Sequence, residues 1–336
     1  MKKDKILLAH GGGGRFSNDL IEKYFLPILG NPILNKLNDQ GVFEINSTRF
    51  AFTTDSYVIK PIFFPGGDIG ELAVYGTVND LSMGGARPLY LSLGLIIEEG
   101  FPMTDLQKII NSIKKATIQS EVQIITGDTK VVNKGGADGI FINTAGVGII
   151  ETSLNISAEN LQHGDIVIIS GYIADHGIAI LSKREGLIFS NPIQSDTAPL
   201  NRLVGRILQT GAKIHAMRDP TRGGLASTLN EFAKKSNVGI VIEEERLPIR
   251  EEVREACDIL GLDPLYVANE GKFVTVVDRN DADIVLNAMK EDPLGKTANI
   301  IGKVTDSHKG TVIMETKNAS TRVVDMPSGE QLPRIC

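Results

Sequence analysis

Three aspartates lie at the ends of predicted elements, where their carboxylates could hold a metal ion. Asp55 and Asp128 each follow a predicted strand, and Asp80 lies near the end of a predicted helix. Mg²⁺ prefers hard oxygen ligands and is usually held by a few carboxylates together with phosphates. Turn formation and helix capping account for most isolated aspartates. The spacing therefore leaves a magnesium site and a purely structural use both open.

Two glycine-containing loops are placed where they could meet an anion. Gly11-Gly12-Gly13-Gly14 lies between a predicted strand and a predicted helix start, where free main-chain N–H groups can cradle phosphate oxygens. It matches neither the Walker A loop nor GxGxxG, so a tight structural turn is an alternative. Asp219-Pro220-Thr221-Arg222 opens another predicted helix and offers donors to an anion, although Asp219 as an ordinary helix cap explains the same pattern.

The two cysteines have different surroundings in the sequence. Cys257 lies on the apolar stripe of a predicted amphipathic helix, which indicates a packed, inert thiol. Cys336 is the last residue and ends a polar segment, 317–336, that is predicted to be a mobile tail. A mobile thiol is suited to carrying a covalently attached substrate, and an accidental terminal cysteine is the alternative.

The elements that must position these residues alternate between strands and helices in both halves of the chain. Strands are predicted at 6–9, 49–54, 88–97, 122–126, 140–150, 165–170, 273–277, 300–304 and 311–315. Helices are predicted from Ser17 or Asn18, and at 69–81, 106–118, 175–184, 200–210, 221–235, 250–260 and 281–290. The regular βαβ order of a doubly wound sheet is missing, so an α+β fold is favoured. The polar stretch 151–162 is the best boundary, giving domains 1–155 and 156–316, followed by the tail 317–336.

Composition limits the classes of function. The 336 residues contain 35 Lys and Arg against 41 Asp and Glu, with no Trp and 5% aromatic residues, which argues against a nucleic-acid-binding protein. No apolar run approaches the ~20 residues of a membrane span. Two cysteines cannot form a disulfide framework, so we expect a cytoplasmic protein without nucleic-acid or membrane partners.

Several motifs spread over nearly the whole chain carry a resemblance to a known family. They are His10-Gly11-Gly12-Gly13-Gly14, Thr54-Asp55, Phe64-Pro65-Gly66-Gly67-Asp68-Ile69-Gly70, Gly76-Thr77-Val78-Asn79-Asp80-Leu81, Gly127-Asp128-Thr129-Lys130-Val131-Val132, Asp175-His176-Gly177, Asp219-Pro220-Thr221-Arg222, Asn269-Glu270-Gly271 and Pro333-Arg334-Ile335-Cys336. The sequence resembles the HypE family, carbamoyl dehydratases of [NiFe]-hydrogenase maturation. That family lies within the superfamily of aminoimidazole ribonucleotide synthetase (PurM) and selenophosphate synthetase. The last four residues distinguish HypE within it.

The resemblance implies a PurM-like pair of α+β domains that dimerises through its N-terminal halves and binds ATP and Mg²⁺ in a cleft. It also implies that the carbamoyltransferase HypF loads a carbamoyl group onto Cys336. The resulting S-carboxamide is then dehydrated to a thiocyanate with ATP, and the cyano group passes to iron held by the HypC–HypD complex.

The resemblance assigns roles to individual residues as well. Asp55, Asp80 and Asp128 would hold Mg²⁺–ATP, with Gly11, Gly12, Gly13, Gly14, Asp219 and Arg222 also at the nucleotide. Lys130 and Glu270 would act on the carboxamide carried by Cys336; without the resemblance they would pass for a surface lysine and a turn glutamate.

Three other functions share parts of this pattern. A selenophosphate synthetase-like enzyme usually has a reactive Cys or selenocysteine near its N-terminus, which this sequence lacks. An aminoimidazole ribonucleotide synthetase-like enzyme would have no use for Cys336. A non-catalytic nucleotide-binding adaptor would lack ATP hydrolysis that depends on a carbamoylated tail.

Overall fold

Two groups of helices and strands follow one another along the chain in the computed structural model, which describes residues 5–151, 154–189, 191–329, 332 and 334–336. The first group consists of α1 (Arg15–Leu20), a π-helical stretch (Ile21–Phe25), α2 (Leu26–Leu29), β1 (Gly41–Ile45), β2 (Thr48–Tyr57), β3 (Phe63–Phe64), β4 (Gly67–Asp68), α3 (Ile69–Met83), β5 (Arg87–Glu98), α4 (Met103–Gln119), β6 (Gln123–Val132) and β7 (Ile140–Ile150). The second consists of β8 (Ile166–Ile169), α5 (Asp175–Glu185), α6 (Asn201–Leu208), β9 (Ile214–Arg218), α7 (Gly224–Lys235), β10 (Gly239–Glu243), α8 (Glu251–Leu260), β11 (Val274–Val277), α9 (Ala282–Lys290), β12 (Asn299–Thr305), β13 (Val312–Glu315) and β14 (Thr321–Val323).

The first group forms a five-stranded sheet in the order β1-β2-β7-β5-β6. Strands β5 and β6 are parallel, and the other neighbours are antiparallel. Helix α3 packs on β2 and β7, and α4 packs on α3, so one face of the sheet is buried. The opposite face is open and exposes Phe52, Tyr90 and Ile96.

The second group forms a seven-stranded sheet in the order β14-β13-β10-β12-β8-β11-β9, which is covered on both faces. Successive side chains of a strand point to opposite faces. Val167 and Ile169 of β8 therefore share a core with Phe232 of α7, whereas Ile168 shares another with Met289 of α9. Of the helices described, none combines the length and hydropathy that a bilayer crossing requires.

The predicted mixture of helices and strands is confirmed, but several local predictions are corrected. Residues 8–11 form a 3-10 turn instead of the strand predicted at 6–9; Ile6 and Leu8 are exposed and have no sheet to join. Helix α1 begins at Arg15, with Gly14 and not Ser17 or Asn18 as its N-cap. Helix α7 begins at Gly224 and not at 221, because the two residues Gly223 and Gly224 have left-handed φ values of 79° and 62°. Short strands β1, β3, β4, β9, β10 and β14 were not predicted.

The segment predicted to be a mobile tail has defined contacts at both of its ends. Residues 321–323 form β14, which pairs with β13. The last two residues are buried: Ile335 is 3% and Cys336 is 8% exposed. The apolar side chain of Ile335 has joined the core of the first domain, which a composition-based prediction could not register.

Helix α3 carries Asp80 and is held closely against the sheet. Its predicted start is confirmed, and the Asp68 carboxylate caps it by accepting hydrogen bonds from the N–H groups of Gly70 and Glu71 at 2.7 and 3.2 Å. A Cβ atom at Gly76 would lie 2.4 Å from the Tyr57 hydroxyl oxygen of β2. The glycine thus permits the close approach of helix and strand.

We expect Gly76→Ala to lower the free energy of unfolding by about 1–3 kcal/mol, because the added methyl group must displace the buried Tyr57 ring. The matched control is Gly205→Ala in α6, where a Cβ meets nothing within 4 Å; it should raise stability by about 0.5–1 kcal/mol through helix propensity. Urea titrations of both variants measure this. Equal stability of the two variants would contradict the close packing of α3.

Candidate active site

Three buried or half-buried carboxylates from different parts of the chain share one space. Asp39 precedes β1, Asp80 lies on α3, and Asp219 follows β9; each offers an oxygen within 4.8 Å of the other two. The Thr53 hydroxyl lies 2.9 Å from Asp80 Oδ2 and 2.8 Å from the Asp39 carbonyl oxygen. An all-carboxylate set of this size fits a hard divalent cation such as Mg²⁺.

Arg218, at the end of β9, supplies the nearest positive charge. Its Nε donates to Asp39 Oδ1 at 2.8 Å, its Nη1 pairs with Glu231, and its Nη2 donates to the Leu37 carbonyl at 3.0 Å. The guanidinium therefore fixes the loop that carries Asp39. Neither Asp39 nor Arg218 was predicted, because an aspartate in Asn38-Asp39-Gln40-Gly41 has the composition of an ordinary turn.

The proximity of these carboxylates changes their acidity. Burial, followed by the charges of Asp219 and Asp39, raises the pKa of Asp80 well above its usual range. Burial, followed by the charge of Asp39, raises the pKa of Asp219 to about 8. Burial also raises the pKa of Asp39, against the lowering effect of Arg218. The cluster thus takes up protons near neutral pH unless a cation replaces them.

Asp55, near the end of β2, lies within electrostatic reach of this cluster. Burial raises its pKa, while the Arg222 guanidinium and a hydrogen bond from the Ser56 N–H at 2.7 Å lower it. Its charge in turn contributes to the raised pKa of Asp80. The structure therefore brings Asp55 and Asp80 into one electrostatic unit.

Asp128 and Lys130 lie apart from the carboxylate cluster, on the exposed surface of β6. Both are inside β6, not after it, and their side chains are 69% and 67% exposed; Lys130 Nζ contacts Asp128 Oδ2 at 2.6 Å. This carboxylate is therefore satisfied by the neighbouring lysine on the surface.

The sheet register gives the distance between Asp128 and the strand that carries Asp55. Asp128 pairs with Gly94, Gly94 with Asn143, and Asn143 with Ser56, which follows Asp55. Three strand spacings separate the ends of this row by about 14 Å. Within one chain, Asp39 and Asp219 are the partners of Asp80, and the assignment of Asp128 to Mg²⁺–ATP stays a prediction.

The glycine cluster packs against the start of α7. A Cβ at Gly13, whose φ is 71°, would lie 2.6 Å from the Arg222 carbonyl oxygen. Arg222 Nη1 donates to the Gly11 carbonyl at 3.4 Å, and the Ser227 hydroxyl donates to that of Gly13 at 3.1 Å. The glycine loop, the start of α7, Asp39 and Asp219 together line a cleft of about 620 Å³.

Cys336 and Glu270 both lie within electrostatic reach of the Arg222 guanidinium. The charge of Cys336 is the main cause that raises the pKa of Arg222, followed among the acids by Asp55 and Glu270. Glu270 is 3% exposed, and its Oε1 has no hydrogen-bond partner among the described residues. Burial, then Asp219 and Asp196, raise the pKa of Glu270 well above its usual range. Such a carboxylate is a strong proton acceptor once ionised.

Two buried asparagines, which the sequence-based prediction missed as site residues, hold Glu270 in place. Asn79 of α3 donates to the Glu270 carbonyl at 3.2 Å and accepts from the Leu200 N–H at 2.8 Å. Asn269 accepts from the Ala174 N–H at 2.7 Å and donates to the Pro220 carbonyl at 2.9 Å. The amide of Asn79 therefore links the first domain to the loop of the second that carries Glu270.

Comparison with known proteins first defines the class. Residues 37–150 match the N-terminal domain of AIR synthase related proteins, and residues 162–315 match their C-terminal domain. The predicted PurM-like α+β fold is thereby confirmed.

More similar relatives then identify the family. A carbamoyl dehydratase HypE from Bradyrhizobium diazoefficiens is 52% identical over 98% of this chain and 95% of its own length. A solved HypE–HypF complex has a TM-score of 0.88 at 49% identity, covering 92% of this chain and 99% of that one. A HypE structure in complex with ATP has a TM-score of 0.84 at 47% identity, covering 99% and 100%. The chain belongs to the HypE family of hydrogenase maturation proteins, and the predicted resemblance is confirmed.

We expect Asp219→Asn to stabilise the metal-free protein more at pH 8.5 than at pH 5.5. A carboxyl group with a raised folded pKa contributes stability below its unfolded pKa, and this contribution is lost as the pH rises to about 8. Because asparagine does not titrate, its advantage grows by about 3 kcal/mol between pH 5.5 and pH 8.5. Urea unfolding in EDTA at both pH values measures the difference.

The control for this prediction is Asp258→Asn on the exposed side of α8. It should change stability equally at both pH values. A pH-independent effect of Asp219→Asn would contradict the crowding of the three carboxylates.

Proposed function

We propose that this chain uses ATP to dehydrate an S-carboxamide carried on Cys336 to a thiocyanate, whose cyano group becomes the cyanide ligand of a [NiFe]-hydrogenase iron. The observation that carries the proposal is the position of Cys336, which is 8% exposed and close to Arg222, beside the carboxylate cluster. The relatives named carbamoyl dehydratase supply the class of reaction. A reduced thiol is required throughout, which favours the cytoplasm.

The chemistry requires activation of a poor leaving group. The carboxamide oxygen attacks the γ-phosphorus of ATP and ADP leaves; the C–O bond then breaks and phosphate departs. The nitrogen loses two protons overall, which leaves S–C≡N. Glu270, buried and with an unpartnered Oε1, is suited to accept one of them. Arg222 is suited to offset the negative charge beside Cys336.

ATP would occupy the cleft that Gly11 and Gly13 line, with its phosphates near Gly11–Gly14. The carboxylates of Asp39, Asp55, Asp80 and Asp219 would hold Mg²⁺, which supplies charge neutralisation at the phosphates when it is bound. The 47% identical HypE that was solved in complex with ATP supports this choice of nucleotide.

A homodimer through the first sheet accounts for the distant position of Asp128 and Lys130. The open face exposes Phe52, Tyr90 and Ile96, and the unpaired edge strand β6 adds Ile125, which is 62% exposed. Apolar residues on an open sheet and an edge strand favour pairing with another copy. In such a dimer, β6 of one subunit would bring Asp128 and Lys130 to the cleft of the other.

We further propose HypF and the HypC–HypD complex as partners that load and unload Cys336. The solved complex of a 49% identical HypE with HypF supports the first of them. Residues 326–336 span about 35 Å when extended, which is enough to carry the thiol out of the cleft. The separate sheets support two domains divided near residues 155 and 156, whereas β14, inside the proposed tail 317–336, pairs into the second sheet.

If Asp128 serves the partner's cleft, mixing two inactive variants should restore activity. Asp39→Asn and Asp128→Asn homodimers should each lose at least tenfold in ATP turnover driven by carbamoylated Cys336. In their heterodimer, one cleft receives both intact carboxylates and the other receives neither. Tandem-affinity-purified heterodimers should therefore recover about half of the wild-type turnover.

The control for complementation is a mixture of Asp39→Asn and Asp80→Asn, two residues of one cluster in one chain. This heterodimer has a defect in each cleft and should remain inactive. An inactive Asp39→Asn/Asp128→Asn heterodimer, or a fully active Asp128→Asn homodimer, would refute the shared site.

We expect Glu270→Gln to accept the carbamoyl group on Cys336 and then to stall before the nitrile, because an amide cannot take up the proton. Intact mass after incubation with the carbamoyltransferase, carbamoyl phosphate and ATP should show the gain of a carbamoyl group without the later loss of water. Cys336→Ser should show neither change, since a hydroxyl is a far poorer nucleophile near neutral pH.

Cys257→Ala is the control for the position of the carrier. Cys257 is buried in a helix core, and burial raises its pKa to about 12, so its removal should affect stability and leave the chemistry intact. A carbamoyl group mapped to Cys257, or normal thiocyanate formation by Glu270→Gln, would overturn the corresponding assignment.

A further inference from the structure

The last three residues of the chain lie alongside the segment that follows β2. The Val58 N–H donates to a main-chain oxygen of Cys336 at 3.1 Å, and the Lys60 N–H donates to the Arg334 carbonyl at 3.3 Å. Residue 336 thus lies opposite 58 and residue 334 opposite 60, which is the antiparallel pairing of an added strand. The depth of Cys336 in the cleft is therefore set by main-chain hydrogen bonds.

Two arginines strengthen this pairing from opposite sides. Arg334 Nε donates to the Val58 carbonyl at 2.8 Å, and its Nη1 forms an ion pair with Asp138, which also contacts Lys60 Nζ at 2.8 Å. Arg184 Nη2 donates to the carbonyls of Arg334 and Lys60, at 2.9 and 2.7 Å. These charge-assisted bonds hold Arg334 at φ 53°, a conformation that non-glycine residues seldom adopt.

A buried histidine contacts the residue between them. His176 is fully buried; its Nε2 lies 2.8 Å from the Ile335 carbonyl oxygen, and its Nδ1 lies 2.8 Å from the Ser195 hydroxyl. Burial lowers the pKa of His176 and favours a neutral ring. Because a carbonyl oxygen only accepts, Nε2 of the neutral ring carries the proton and Nδ1 accepts from the Ser195 hydroxyl. The Ser195 hydroxyl in turn lies 2.6 Å from that of Thr197, which can donate to it when Ser195 donates to the ring.

The geometry points to a tail latch, formed by Arg334, Asp138, Arg184 and His176, that positions Cys336 for reaction. These residues are positioning residues, and the inference rests on the proposed function. The hydrogen bonds described above use main-chain groups of residues 334–336 and the Arg334 side chain, which modification of the thiol leaves unchanged. The same latch therefore holds the tail whether it bears a thiol, a carboxamide or a thiocyanate.

The latch is also built to open. Its ion pair is not deeply buried, since the Asp138 and Arg334 side chains are 44% and 28% exposed. Interactions between exposed charges weaken with salt, because the screening length falls to ~3 Å at 1 M. Release of the tail should therefore be sensitive to ionic strength, whereas the main-chain pairing and the His176 contact give the docked position its specificity.

The test is the rate at which iodoacetamide alkylates Cys336, followed by intact mass and by mapping of the Glu-C peptide 331–336. Reagent reaches the thiol mainly when the tail leaves the cleft. We expect Arg334→Met and Asp138→Asn each to raise the rate about tenfold at low salt, and Arg334→Lys to lie between wild type and Arg334→Met. Loss of the Arg334 cation does not by itself favour the reactive thiolate, so faster alkylation of Arg334→Met reports undocking.

Salt and a matched variant complete the experiment. At 1 M NaCl the wild-type rate should approach that of Arg334→Met, whose own rate should stay constant. Arg246→Met removes a comparable exposed pair with Glu243 at 2.7 Å and should alkylate like wild type. Alkylation of the buried Cys257 reports unfolding in the same spectra. If a variant unfolds, the salt response of the wild-type protein decides the question.

Failure of the latch and failure of the proposed function give different results. Wild-type alkylation rates in Arg334→Met and Asp138→Asn, with no salt response in the wild type, would overturn the latch even if thiocyanate forms. Faster alkylation in both variants, together with no thiocyanate from the wild-type protein after carbamoylation and addition of ATP, would uphold the latch and overturn the proposed function. If both hold, single-turnover dehydration should slow in the variants in proportion to undocking.

Discussion

The burial of three carboxylates in one space is the constraint on which the rest of this structure depends. Asp39, Asp80 and Asp219 come from a loop, a helix and a strand end, and like charges at such distances repel strongly where water is excluded. Arg218 compensates for Asp39 directly, but the pKa values of Asp80 and Asp219 rise well above their usual range. The fold thus maintains a site that is satisfied only by protons or by a cation.

Both domains contribute aspartates to this cluster. Specific contacts must therefore fix the position of one domain relative to the other. The amide of Asn79 on α3 hydrogen-bonds to the backbone of residues 198, 200 and 270, and that of Asn269 hydrogen-bonds to the backbone of 174, 220 and 267. Apolar packing tolerates small sliding movements, whereas buried amides lose hydrogen bonds when they shift. Asn79 therefore links the two domains, and Asn269 links the Glu270 loop to the segment that follows Asp219.

The same sheet that supplies Asp55 presents Asp128 and Lys130 on its edge strand, about 14 Å away across three strands. A single chain thus contains two separated sets of polar groups, one in the cleft and one at the edge. The tail adds a third component, since its last residues complete the cleft by pairing with residues 58–60. An assembled site consequently depends on sheet register, on domain contacts and on the docked tail together.

Local patterns in the sequence were sufficient for the α+β class, the bounds of strongly periodic elements such as α3 and β7, and the family, because residue spacing and contiguous motifs carry that information. Which carboxylates meet became clear only from the folded chain. Asp39 lies in a segment that resembles any turn. Asp128 has the same predicted position after a strand as Asp55, but it lies inside the edge strand β6. The burial of Ile335 and Cys336, although their segment is polar, is likewise a property of the folded chain. Distances between residues far apart in sequence depend on strand order and register, which no local pattern encodes.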